Sequence, residues 1–129
     1  MKKQYYIGLD VHKNTISIAY THSSSRSEPK FYGSCGGTNL TTERKLRKLA
    51  KELGVKLQDL KVCYEAGPTG FVLARHLIGL GVDCILCSPS KTEGLHKGKV
   101  KTDKIDAQKI ARLFKNGDIT PVHIPPATS

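Results

Sequence analysis

The order in which strand-like and helix-like segments follow one another constrains the fold of this chain more than any other feature. Three β-rich segments come first, and strand-like and helix-like segments then alternate up to residue 118. Successive strands joined by short turns pair in antiparallel fashion, whereas strands separated by a helix can pair in parallel. The order βββαβαβα therefore predicts an α/β fold with a mixed five-stranded sheet that carries helices on both faces.

The boundaries of these segments come from hydrophobic periodicity, turn residues and helix caps. The five strands are predicted at residues 5–10, 15–21, 30–35, 61–66 and 82–87. The helices are predicted to run from a cap at Thr41 or Thr42 to Leu53, from the turn at residues 67–70 to about residue 80, and from Asp103 to Asn116. Prolines punctuate residues 119–129, which are predicted to form a linker after a domain that spans residues 1–118.

Two aspartates occupy the apolar side of the last predicted helix. At about 100° per residue, Asp103 and Asp106 share a side with Ala107 and Ile110, and the lysines take the other sides. Because an unpaired charge is costly to bury, a cation is expected to meet these carboxylates. Asp103 also fits a simple N-cap, a common use of aspartate, whereas Asp106 is harder to explain in that way because Thr102 or Asp103 already supplies a cap.

Two further carboxylates stand where predicted strands end. Asp10 closes the first strand and Glu65 lies near the end of the fourth, and sites in open α/β sheets gather at strand ends. If these strands are neighbours and the last helix packs nearby, four carboxylates converge and hold a hard ion, Mg²⁺ or Mn²⁺. Two such ions about 3.5–4 Å apart stabilise both oxygens of a phosphoryl displacement. Taken singly, Asp10 also fits a turn residue and Glu65 a solvated strand end.

The charge of the chain indicates a polyanionic partner. The formal net charge is +10 over 129 residues, and the lysines are concentrated in residues 91–115, around the two helical aspartates. Lysine and arginine neutralise phosphates and release counterions, so nucleic acid is a better explanation than a merely basic soluble protein. The predicted nucleic-acid contacts are Lys97, Lys99, Lys101 and Lys104.

The cysteines and the hydropathy pattern indicate a cytoplasmic protein with no membrane partner. The four cysteines show no regular framework, which is typical of reduced thiols. Cys84 and Cys87 have the spacing of half a zinc site, but residues three apart on a strand face opposite sides, so structural thiols are predicted. Neither a signal peptide nor a transmembrane stretch is recognisable in the sequence.

Three motifs carry a resemblance to a known family. They read YIGLDVHK at residues 6–13, YEAGPTGF at 64–71 and VKTDKIDA at 100–107, the last continuing through 110–113. In this order they resemble the DEDD class of bacterial insertion-sequence transposases, the IS-one-ten and IS-eleven-eleven group. The resemblance implies an RNase H-like, RuvC-type domain whose acidic tetrad binds divalent metal, and it assigns the tetrad to Asp10, Glu65, Asp103 and Asp106.

The same resemblance implies a DNA recombinase that uses a structured guide RNA and acts as a homo-oligomer. Family members continue into a C-terminal domain that supplies a nucleophilic serine. That serine has no matching position in this sequence, so residues 119–129 are expected to lead toward the second domain.

Three alternatives remain open at this stage. The first is a RuvC-like junction endonuclease with water as its nucleophile. The second is a non-catalytic module for RNA binding and oligomerisation. The third is half of an ATPase of the sugar-kinase or actin type, whose first strand also ends in aspartate.

Overall fold

The structure is a computed structural model that describes residues 4–65, 71–88, 103–122 and 124, with the backbone alone for residues 88 and 103–106. Three strands come first, followed by alternating helices and strands and a short 3₁₀ turn. The elements are β1 (Tyr5–Val11), β2 (Thr15–His22), β3 (Lys30–Gly36), α1 (Asn39–Leu53), the 3₁₀ turn (Leu57–Asp59), β4 (Leu60–Glu65), α2 (Val72–Gly79), β5 (Asp83–Ser88), α3 (Asp103–Asn116) and β6 (Thr120–Val122).

The strands form a single mixed sheet in the order β3-β2-β1-β4-β5-β6. The hairpin strands β1, β2 and β3 pair antiparallel, β1, β4 and β5 pair in parallel, and β6 returns antiparallel to β5. Parallel pairing follows from the helical crossovers, which return the chain to the same edge before each new strand. The predicted mixed α/β sheet is therefore confirmed.

The predicted strand count of five is wrong, because β6 adds a sixth strand inside the segment predicted to be a linker. Thr120–Val122 pairs with the end of β5, and Pro121 lies opposite Cys87. Proline is tolerated here because β6 is an edge strand, where its missing N–H does not interrupt the sheet. Residues 125–129 of the predicted linker lie outside the described residues.

The first helix also begins earlier than predicted. Thr38, rather than Thr41 or Thr42, is its N-cap, and the Thr38 hydroxyl accepts a hydrogen bond of 3.1 Å from the backbone N–H of Thr41. Gly54 ends the helix as predicted, in the left-handed conformation (φ +75°) that glycine adopts without strain. The turn predicted at residues 67–70 lies outside the described residues, and α2 (Val72–Gly79) follows it as predicted.

Helices cover both faces of the sheet. One face carries the main core, in which residues such as Ile7, Leu9 and Tyr64 pack with α1 and α2. The opposite face packs against α3. The alternation along β1 and β4 thus separates a large apolar core from a smaller face, and the strand ends of that smaller face carry the candidate site.

The cysteines behave as structural thiols. All four are free, and Cys84 packs in the main core while Cys87 packs on the α3 face beside Cys63. The two residues of the Cys84–Cys87 pair therefore point to opposite sides of β5, as the strand periodicity predicts. None of the helices in the described part of the chain has the length and hydrophobicity needed to cross a membrane.

A buried hydrogen bond joins the start of α2 to the sheet and yields a stability prediction. The backbone N–H of Ala74 donates to the Tyr64 hydroxyl at 2.9 Å, and both residues are fully buried. Burial raises the pKa of Tyr64 to about 12, so the hydroxyl stays protonated. In Tyr64→Phe this N–H loses its partner, and we expect the free energy of unfolding, measured by urea denaturation, to fall by about 1–3 kcal/mol.

Tyr6→Phe is the matched control for that experiment. The Tyr6 hydroxyl makes only a long, partly exposed hydrogen bond of 3.5 Å to Gln4, so its loss is expected to cost less than about 0.5 kcal/mol. Equal stability of the two variants would contradict the role assigned to the Tyr64 hydroxyl.

Candidate active site

Asp10 lies next to the end of β1 on the face that α3 covers. Its neighbours Leu9 and Ile7 point into the main core, so Gly8 and Asp10 point the other way. The residue is only 9% exposed, and its carboxylate accepts a hydrogen bond of 3.0 Å from Nε2 of His12. The strand thus holds a charged group in a sheltered position at its carboxyl end.

Glu65 occupies the adjacent position on the neighbouring strand. The parallel register pairs Gly8 with Cys63 and Leu9 with Tyr64, and Asp10 and Glu65 are the next residue of each strand. Neighbouring strands lie about 4.8 Å apart, and paired positions share a face. Glu65 is exposed, in contrast to Asp10. The structure therefore brings these two predicted site residues side by side, one sheltered and one open to solvent.

Helix α3 packs unusually close to β1 because small residues line the contact. A methyl group built on Gly8 would overlap the carbonyl oxygen of Ala107 and lie 2.5 Å from the amide nitrogen of Ala111. Ala19, which pairs with Gly8 across β2, completes a buried cluster with these two alanines. The absence of a side chain at Gly8 thus allows the helix backbone to rest on the strand.

The direction of α3 brings its first turn toward Asp10. The rings of Tyr6 and Phe114 meet edge to face with their centroids 5.0 Å apart, and Gly8 contacts Ala107 and Ala111. Residue numbers thus increase along β1 while they decrease along the facing helix, so α3 runs antiparallel to β1. From Gly8 to Asp10 the strand rises about 7 Å, which is the length of four to five residues of α-helix. The α3 backbone near residues 103–106 therefore approaches the end of β1 that carries Asp10.

The side chains of Asp103 and Asp106 belong to the part of α3 for which only the backbone is described. The same holds for Lys104, and Lys97, Lys99 and Lys101 lie outside the described residues. The four lysines predicted to contact nucleic acid, and the two helical aspartates, therefore stay predictions.

The second half of α3 is tied to the connection between β2 and β3. Gln108 donates to the backbone carbonyl of Pro29 at 2.8 Å, and Arg112 lies 3.4 Å from the carboxylate of Glu28. The ammonium group of Lys115 donates to the carbonyl oxygen of Ser25. These contacts fix the helix on the sheet, and they engage two cations of the basic segment with protein partners.

His12 and Gly8 also shape this region, although neither is among the site residues predicted from the sequence. His12 reads as a turn residue, yet its ring contacts the Asp10 carboxylate. Its position two residues beyond a strand-end aspartate is the sequence signal that indicates this contact. Gly8 interrupts an apolar strand, a placement that often marks a close approach of another backbone.

The donor set at this end of the sheet suits a hard divalent cation. Asp10 and Glu65 offer carboxylate oxygens, which Mg²⁺ and Mn²⁺ prefer. Within the described side chains, no three His, Cys, Asp or Glu residues form a group able to hold a metal ion. The pair therefore needs further ligands, and the opening turn of α3, which contains Asp103 and Asp106, has a backbone that approaches this end of the sheet.

Sequence comparison relates the chain to transposases. It is 42% identical over 116 residues to the transposase for insertion sequence element IS1533 of Leptospira borgpetersenii, a match that covers 90% of this chain and 32% of that protein. It is 32% identical over 123 residues to the putative transposase y4qE of Sinorhizobium fredii, covering 95% and 30% respectively. The chain thus spans about a third of the length of the curated relatives it matches. No protein-family model matches the sequence.

Structural comparison identifies the fold. The RuvC structure of Thermus thermophilus superimposes with a TM-score of 0.53, covering 92% of this chain and 100% of that one. The fold is that of RuvC. Sequence identity in this superposition is 10%, so the likeness concerns the fold alone. The RuvC-type fold predicted from the motifs is confirmed.

Proposed function

We propose that this chain is the acidic catalytic domain of a DNA transposase, in which Asp10, Glu65, Asp103 and Asp106 bind Mg²⁺ or Mn²⁺ for phosphoryl transfer on DNA. One observation carries the proposal. Asp10 and Glu65 are neighbours at the carboxyl ends of parallel strands, and α3 runs antiparallel over β1 toward that end. The similarity to insertion-sequence transposases over nine-tenths of the chain supports the choice of reaction.

The residues of the site have distinct roles in this proposal. A bound divalent ion would supply Lewis-acid stabilisation of charge on a DNA phosphate. Asp10, sheltered and hydrogen-bonded to His12, holds a carboxylate in one orientation. Glu65 is exposed on the next strand, so a metal ion and a phosphate can reach it from solvent. The two helical aspartates complete the negative charge that a divalent cation neutralises.

The class of transposase and its partners are inferred from the three sequence motifs. Their resemblance to the DEDD class, the IS-one-ten and IS-eleven-eleven group, supports a recombinase that works with a guide RNA, as a homo-oligomer, and with a serine from a second domain. Lys97, Lys99, Lys101 and Lys104 would contact the nucleic-acid backbone, because they lie just before and within the first turn of α3 in the sequence.

A RuvC-like endonuclease is the second candidate. The superposition on the whole of the RuvC chain favours it, although one fold can serve several activities. The two candidates differ in their nucleophile, which is water in the endonuclease and a serine from another domain in the transposase. Metal-dependent nicking of branched DNA by this chain alone would favour the endonuclease.

Metal binding by the purified chain tests the shared core of both candidates. Titration with Mn²⁺, monitored by calorimetry or electron paramagnetic resonance, is expected to show saturable binding. Replacing Asp103 or Asp106 by asparagine removes one ligand charge and is expected to weaken Mn²⁺ binding by about tenfold or more.

Asp118→Asn is the matched control, because Asp118 is an exposed aspartate just beyond the far end of α3. Its Mn²⁺ affinity should equal that of the unmodified chain. If the unmodified chain binds no Mn²⁺, or if all three variants bind it equally well, the four-carboxylate site is wrong.

A further inference from the structure

A cationic groove runs along α1 beside the end of β3. Thr41, Arg44, Lys45 and Lys48 recur at the spacing that puts residues on one side of a helix. Together with Cys35 and Gly36 of β3 they line a groove of about 330 Å³, which we call the α1 groove. Arg44 and Lys48 are exposed, and Lys45 is half-buried.

The cations of the α1 groove form no ion pairs within the described part of the chain. The nearby carboxylate of Glu43 is already engaged by Arg47 at 2.8 Å and by His76 at 2.9 Å. In the residues that the structure describes, no ion pair involves Arg44, Lys45 or Lys48. Glu52, four residues after Lys48 on the same side of α1, is exposed and lies near the Tyr32 hydroxyl. The three cations outnumber this carboxylate and form no ion pair with it among the described residues, which favours an anion from another molecule.

Strand β3 holds the side chain of Lys45, one of the groove cations, in place. The ammonium group of Lys45 lies 5.3 Å from the centre of the Tyr32 ring, within the range of a cation–π contact. The same side chain crosses Gly33, where a methyl group would lie 3.4 Å from its terminal methylene. Lys45 is thus laid along the strand, whereas Arg44 and Lys48 extend into solvent.

The α1 groove lies at the same end of the sheet as Asp10. Asp10 pairs with Ser17, and Ser17 pairs with Ser34, next to Cys35 of the groove wall. At about 4.8 Å per strand, two strands separate the groove from Asp10 by about 10 Å across the sheet. The exposed residue Lys13, in the turn between β1 and β2, lies along this path.

The groove and the carboxylates occupy opposite faces of the sheet but share one end, so a rod-like polyanion passing over that end can contact both. The lateral separation across the strands is about 10 Å, and the thickness of the sheet between the two faces adds to it. At a rise of 3.4 Å per base pair, the two sites therefore contact phosphates several base pairs apart. Phosphates that flank the one held by the carboxylates would then reach the cations of the groove.

We propose that the α1 groove binds the backbone phosphates of DNA several base pairs from the phosphate held at Asp10 and Glu65. The inference rests on the proposed function, since the acidic pair decides which polyanion is brought to this end of the sheet. The groove contacts phosphates and positions the duplex, and it does not select a base sequence.

The test compares two double variants that remove the same charges. Arg44→Gln with Lys48→Gln empties the groove of its exposed cations. Arg26→Gln with Lys30→Gln removes one arginine and one lysine, both exposed, from the opposite end of β3 and its preceding loop. Binding of a fluorescent DNA duplex is measured by anisotropy at several salt concentrations.

The groove variant is expected to bind DNA about tenfold more weakly than the matched variant. The slope of log K against log salt should become shallower by about 1.8, because each lost phosphate contact contributes about 0.9. Its Mn²⁺ affinity should be unchanged. Equal DNA affinity and equal salt slope in the two double variants would overturn the proposal that the α1 groove binds DNA, because net charge alone would then explain binding.

A parallel titration with duplex RNA separates the two nucleic acids. If the groove variant loses affinity for RNA but keeps its affinity for DNA, the assignment to DNA is wrong. Failure of the unmodified chain to bind Mn²⁺ would reject the proposed function, whereas equal DNA binding by the two double variants would reject the groove alone. The two proposals therefore fail in different measurements.

Discussion

Replacing Asp10 by asparagine is expected to reduce metal-dependent DNA cleavage by about a thousandfold or more, or about 4 kcal/mol of transition-state stabilisation. Asparagine has nearly the same shape, so β1 and its pairing with β2 and β4 should persist. What is lost is the negative charge that a divalent cation requires at the sheltered end of the strand. The measurement is the single-turnover cleavage rate of element-end DNA in the full-length transposase that the proposal implies.

Asp83→Asn is the control for this experiment. Asp83 begins β5 at the opposite end of the sheet, where it lies 3.7 Å from Lys61 on the surface. Its replacement should leave the cleavage rate within about twofold of the unmodified enzyme, since surface ion pairs contribute little. Cleavage by Asp10→Asn at the unmodified rate, with the protein folded, would remove Asp10 from the site.

Replacing Gly8 by alanine is expected to be the most destabilising single change on the α3 face. The new methyl group overlaps the Ala107 carbonyl oxygen and crowds the Ala111 amide nitrogen, and both are backbone atoms of a helix. Because a helix backbone cannot rotate out of the way as a side chain does, α3 must move off β1. We expect the free energy of unfolding to fall by about 3 kcal/mol or more, measured by urea denaturation.

Two further variants sharpen this prediction. Gly79→Ala, at the exposed end of α2 where nothing lies within 4 Å, should leave stability unchanged or raise it by up to about 1 kcal/mol. Adding Ala107→Gly to Gly8→Ala should not restore stability, because the overlap is with the backbone of residue 107 and not with its side chain. Full restoration would show that the close approach is an ordinary side-chain contact.

Much of the fold is predictable because local patterns and connection rules agree. The three hairpin strands, the alternation that follows and the glycine that ends α1 are all written in short stretches of sequence. The neighbouring positions of Asp10 and Glu65 followed from the rule that parallel strands of an α/β sheet end at the same edge. The Thr38 cap was missed because several threonines in succession offer equivalent hydroxyls.

The strand β6 could not be predicted from local signals. A segment containing Pro121 reads as a linker, and only the free edge of β5 makes it a strand. The contact between His12 and Asp10 likewise depends on how the chain turns after β1. The α1 groove needs both the helix periodicity and the position of β3 beside it.

By itself, the sequence determined where β1 to β5 and the three helices lie, which carboxylates stand at element ends, and that the chain is strongly basic. Only the tertiary structure decided how close α3 comes to β1, because that distance depends on Gly8 meeting the backbone of Ala107 and Ala111 across 98 or more residues of intervening chain. It also decided that Arg44, Lys45 and Lys48, which form no ion pair with the described residues, lie at the end of the sheet that carries Asp10. Periodicity describes one element at a time, whereas the separation of charges between elements is set by packing.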